Sequence, residues 1–152
     1  MAPPLMPCWQ DGGPGLTIPH FRNLFEYVYI RGHWYAPFPR GSVLKVRFTQ
    51  ASFDHAFFKE HRETMRRTEW QPDRAQRFLW IGLAIERPTT VCCAGGAGPR
   101  YYLFCRLAND QWPWYLVVVE ETDPGVAVFI TAFPLDHDRY KKLVKEGSRV
   151  EL

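Results

Sequence analysis

The residues best suited to moving protons near neutral pH are the five histidines, at 20, 33, 55, 61 and 137. Two of them, His55 and His61, share the run T-Q-A-S-F-D-H-A-F-F-K-E-H-R-E-T-M-R-R at 49–67 with Lys59, Arg62 and Arg66. A histidine among cations and hydroxyls is the inventory that metal-free cleavage of RNA requires. A base takes the 2′-proton, donors or cations stabilise the charged phosphorane, and an acid protonates the departing 5′-oxygen. Thr131, in V-F-I-T-A-F-P, offers a hydroxyl in an apolar strand, either as a plain β-former or as a donor to a phosphate oxygen. Tyr101 and Tyr102 point to opposite faces of their strand, so one is core and the other is free to stack or donate.

Other chemistries find little support. Gly95-Gly96-Ala97-Gly98 lacks the G-K-[ST] ending of a phosphate-binding loop and joins strand to strand, so a hairpin turn is expected. No H-E-x-x-H occurs and the histidines lack ligand spacing; no G-x-S-x-G elbow presents a nucleophile. Cys8, Cys92, Cys93 and Cys105 form no C-x-x-C pair, and the adjacent Cys92 and Cys93 point apart. Reduced thiols in a reducing compartment are expected, with no metal and no cofactor.

The elements that must position these residues follow from periodicity. Thr49 or Ser52 caps a helix expected to run to about Arg67. On it Phe53, Phe57, His61 and Met65 form one drifting apolar stripe, and His55, Lys59, Arg62 and Arg66 form a separate basic face. His61 then reads either as a boundary residue of the core or as a base at the lip of a cleft. His55, among cations that favour its neutral form, is the other candidate base, on what is equally a solvated surface. Asp73 and Gln76 outline a capping box for a second helix, which Pro88 stops near Glu86. Strands are expected over 89–94, 100–107, 114–120 and 126–133, with a shorter one at 43–48 and strand composition at 25–30. Asp136 caps a final helix carrying Tyr140, Leu143 and Val144. The expected fold is therefore α+β: two N-terminal helices on an antiparallel meander sheet of four or more strands, closed by a short C-terminal helix. Residues 1–20, with five prolines and three glycines, are expected to form an extended arm, and 21–152 a single domain.

The 152 residues suffice for one self-sufficient core. The net charge of +3 is too small to predict a polyanionic partner, but its distribution is uneven. Residues 40–67 hold seven Lys or Arg against three acids, and 139–149 hold five against one. Between Asp110 and Asp138 there are six acids and no cation. A basic face and an acidic edge are expected. No signal pattern and no apolar run of ~18 residues occurs, so the expected setting is the cytoplasm, away from membrane.

The segments F-F-K-E-H-R-E at 57–63, Q-R-F-L-W-I-G-L-A-I-E-R-P-T-T-V at 76–91, R-Y-Y-L-F at 100–104, Y-L-V-V-V-E at 115–120 and F-I-T-A-F-P at 129–134 carry a resemblance. In that order they resemble the phage-associated barnase–EndoU–colicin–RelE-like (BECR) nuclease domains, over about residues 43–146. The resemblance implies a two-helix, four-strand core and metal-independent RNA cleavage. It matches His61 to the family's helix histidine and Thr131 to its last-strand hydroxyl, and it places Lys59, Arg62 and Tyr102 near the substrate. His55 leaves the choice of base open. The function expected is thus an endoribonuclease of the toxin or effector type, acting on tRNA or mRNA, with a neutralising antitoxin or immunity protein as partner. The alternatives are a non-catalytic module binding nucleic acid or protein, and an accessory protein of a phage or mobile element.

Overall fold

The structure, a computed structural model, describes residues 3–8, 15–60, 67–94, 99–107 and 112–152. Helix α1 (Ile18–Phe25) opens at Thr17, whose hydroxyl and backbone N–H both meet His20 Nδ1, at 2.8 and 3.4 Å. It continues into a π-helical turn over Glu26–Ile30, where strand composition had suggested extended chain. The spacing of Phe21, Phe25 and Tyr29 explains the difference. Residues four apart share one helical stripe, and all three side chains are fully buried. Tyr29 carries its phenol into the core, donating to the Phe78 carbonyl and accepting from the Gly82 N–H at 3.1 Å.

Strands β1 (Trp34–Pro37) and β2 (Val43–Arg47) form an antiparallel hairpin. Its tip places Arg40 at φ 62° and Gly41 at φ 70°. Helix α2 (Gln50–Phe57) follows, capped reciprocally by Thr49 and Ser52. It ends ten residues before the expected Arg67, and the chain turns into β3 (Phe58–Glu60), which pairs with β4 (Arg67–Trp70). The adjacent rings of Phe57 and Phe58 both pack on Trp70, at 6.1 and 5.3 Å between centroids. Neighbours on a helix point about 100° apart, so breaking the helix lets both rings reach one tryptophan. The second expected helix is also two pieces, α3 (Pro72–Gln76) and α4 (Phe78–Glu86), broken at Arg77.

The remaining elements are β5 (Thr90–Cys93), β6 (Arg100–Arg106), β7 (Trp114–Asp123), β8 (Val126–Leu135), α5 (His137–Glu146) and β9 (Ser148–Arg149). The expected fold of two N-terminal helices on an antiparallel meander is overturned by the topology. The main sheet has seven strands in the order β1-β2-β8-β7-β6-β5-β9, and it is mixed, because β2 runs parallel to β8. Parallel pairing needs a crossover, and here everything from α2 to β7 lies between the two strands. The hydrophobic pattern of each strand is local and carries no mark of a partner so distant. The sheet curls enough for Phe38 at the hairpin tip to meet the edge of Tyr101 on β6, at 4.9 Å.

One face of the sheet buries Leu44, Val46, Leu103, Val117, Val119 and Phe129 against α1, α2 and α4. Phe25 is the hub of this aromatic core, with five rings within 6.3 Å. Each such buried ring stabilises the fold by roughly 2–3 kcal/mol through area alone. Gly82 is required here, since a Cβ on it would lie 2.5 Å from the Trp34 ring. The opposite face buries Cys92, Phe104, Trp114, Leu116 and Leu135 beneath Tyr140, Leu143 and Val144 of α5. Trp114 and Tyr140 stack at 3.6 Å, and the indole N–H donates to His137 Nδ1 at 3.1 Å. Part of the N-terminal arm is docked: Met6 N–H donates to the Gln76 carbonyl and Trp80 Nε1–H to the Pro3 carbonyl, both at 2.7 Å.

Candidate functional site

Strands β2 and β8 pair over Lys45–Val126, Val46–Ala127 and Arg47–Val128 and then separate. The chain leaves β2 through Phe48 and Thr49 into α2, while β8 runs on to Leu135. Helix α2 therefore packs beside the stretch of β8 that β2 has vacated. A bulge falls at the same place: Val118 pairs with Thr131 and Val119 with Phe129, leaving Ile130 without a partner. Between helix and strand lies a cleft of about 180 Å³, lined by Thr49, Ala51, Ser52, His55, Val128, Phe129 and Ile130. A crevice where a parallel strand gives way to its following helix is a recurrent ligand position in α/β sheets.

His55 is half-buried in the wall of this cleft and is the imidazole among its lining residues. The Thr131 hydroxyl donates to the backbone carbonyl of His55 at 3.3 Å, tying β8 to the last turn of α2. Asp54, the next side chain along, is engaged by Arg22 of α1 at 3.3 Å, and that guanidinium also lies 4.4 Å over the Phe53 ring.

Residues paired across strands share a face, so the register gives the surroundings of the cleft. One row runs Arg149, Cys92, Tyr102, Val118 and Thr131. The next runs Arg100, Glu120, Val128 and Arg47. Arg47 is exposed and adjoins the cleft through Val128. Arg100 and Glu120 pair at 3.5 Å on the same face. Cys92 lies beneath α5, where burial pushes its thiol above the usual value despite the lowering effect of Arg149, so it is a poor nucleophile.

The sequence candidates divide accordingly. His55 and Thr131 are brought together at the cleft. Tyr102, half-buried and edge-on to Phe104, lies in Thr131's row two strands away, about 10 Å at ordinary strand spacing. Lys59 is exposed on β3, beyond the end of α2, so no helical face joins it to His55. His61, Arg62 and Arg66 lie outside the described residues. The sequence marks Thr49 and Ser52 only as helix caps, and it does not mark Arg47 or Arg100 as site residues. The alternation in V-L-K-V-R-F does mark Lys45 and Arg47 as the outward residues of their strand, and this is the signal by which they were legible.

Among the described residues, no group of three or more His, Cys, Asp or Glu is arranged to hold a metal ion, and no helix is long and apolar enough to cross a membrane. Comparison of the chain with protein-family models, with curated proteins and with solved structures gives no significant match.

Proposed function

We propose that the cleft between α2 and β8 is the active centre of a metal-independent endoribonuclease of the toxin or effector type. The observation that carries this reading is that His55 lines the cleft, Thr131 bonds its backbone carbonyl, and Arg47 pairs with the cleft residue Val128, although the three come from separate segments. His55 takes the proton of a ribose 2′-hydroxyl, and that oxygen attacks the adjacent phosphorus. The P–O5′ bond breaks and the 5′-oxygen takes a proton from water, while protonated His55 returns its own to solvent, giving a 2′,3′-cyclic phosphate and a 5′-hydroxyl end. Arg47 supplies positive charge beside the phosphorane, where a fixed cation is worth most. Thr131, with its hydroxyl committed to the His55 carbonyl, positions the histidine's turn of helix. The BECR-like segments at 57–134 support the same class of substrate, tRNA or mRNA in the cytoplasm, and with it a neutralising protein partner.

The cations on the open sheet face favour a second reading, a module that binds RNA without cleaving it. Purified protein incubated with total RNA and end-labelled tRNA in EDTA separates the two. Cleavage is expected, with His55→Gln lowering the rate by roughly 10²- to 10⁴-fold and Thr131→Val by less. Loss of cleavage in His61→Gln but not in His55→Gln would make His61 the base. No cleavage by the folded wild-type protein would leave binding as the function.

A further inference from the structure

The β1–β2 hairpin continues the site face beyond the cleft, and its composition is one-sided. From Trp34 to Phe53 the chain has three Lys or Arg (Arg40, Lys45 and Arg47) and no acid. The register places Tyr35 beside Lys45, Lys45 beside Val126, and Arg47 beside the cleft residue Val128, all on one face. Tyr35 is 44% exposed and Val43 55%, and no helix covers them among the described residues. Lys45 and Arg47 make no salt bridge among the described residues. Arg40, at the tip, sits in the left-handed region that glycine occupies more readily.

From this we infer that the hairpin is a recognition arm for single-stranded RNA flanking the cleaved phosphodiester. Lys45 and Arg47, two residues apart on one strand face, are spaced by about 7 Å, which suits consecutive phosphates of a stretched single strand. Tyr35 offers a ring beside that track on which a base can stack, a contact indifferent to sequence. Arg40 extends the positive track to the hairpin tip. A duplex would present its phosphates on a rigid convex surface and could not place a base on Tyr35. The inference rests on the nuclease reading only for the identity of the polymer.

The test is fluorescence anisotropy with 2′-O-methyl oligouridylate, which binds but cannot be cleaved, in lengths of about 3 and about 12 nucleotides. The longer oligonucleotide is expected to bind more tightly. Lys45→Ala and Arg47→Ala should each weaken it and flatten the slope of log K against log salt by about 0.7. Tyr35→Ala should weaken it about tenfold, while Tyr35→Trp restores binding. Arg40→Gly is the decisive variant for folding artefacts: it should lower RNA affinity while leaving Tm unchanged or raised. Wild-type affinity in all four loss variants overturns the inference, and so does an equal effect from Lys142→Ala on α5. Hairpin-dependent binding without any cleavage of natural RNA would keep the arm and discard the nuclease. Cleavage with hairpin variants that bind like wild type would do the reverse.

Discussion

Tyr29 holds two helical segments with one oxygen, giving its proton to the Phe78 carbonyl and receiving the Gly82 N–H. Burial raises the pKa of this phenol, and of the fully buried Tyr115, far above the ordinary value of 10. The core therefore accepts only the neutral form. The stability that each phenol lends is complete below pH ~10 and is lost as the pH climbs toward the raised folded value. Urea midpoints followed by circular dichroism should accordingly fall between neutral pH and about pH 11. Tyr29→Phe should cost about 1 kcal/mol at neutral pH through the lost hydrogen bonds, yet should lose less on going alkaline. The Thr131 contact has the same logic beside the cleft: a single hydroxyl bonded to the His55 backbone carbonyl ties β8 to the last turn of α2.

At the scale of elements, α2 is the piece on which the site depends, and it is only eight residues long. A helix so short owes much to its ends. Thr49→Ala removes the cap and should cost about 1 kcal/mol, measured by urea denaturation, and it should loosen the turn carrying His55. The start of this helix was legible because a capping residue is a local signal. Its end was not, because the reason for stopping is Trp70, which gathers the rings of Phe57 and Phe58 from a strand beyond the turn. The expected basic helical face failed for that reason, and Lys59 went with it. Likewise the aromatic content of 25–30 reads as a strand, whereas Phe21, Phe25 and Tyr29 share a buried helical stripe. The segments of β5 to β8 could be read from composition and turns, since each pairs with its sequence neighbour. The β2–β8 pairing, and with it the cleft and the place of Arg47, arises from tertiary contact alone.

For the molecule as a whole, a single sheet serves two hydrophobic clusters, one on each face. Neither can persist without the strands they share, so the clusters should melt together. Phe25→Ala on one side and Phe104→Ala on the other should each destabilise by roughly 3–5 kcal/mol. Both should leave a single transition, coincident in near- and far-ultraviolet circular dichroism. Two separated transitions would mean that α5 and its cluster fold independently.

The parallel strand pair also sets a timetable. About 80 residues of chain separate Lys45 from its partner Val126. At ribosomal speeds of roughly 5–20 residues per second the hairpin waits some 4–16 s before β8 is synthesised. During that interval β2 has no neighbour on its inner side and the His55 cleft has no second wall. A nascent or prematurely terminated chain therefore lacks the completed cleft. If the protein cuts RNA, the messenger and the ribosome producing it are spared until β8 has emerged and closed against the first hairpin.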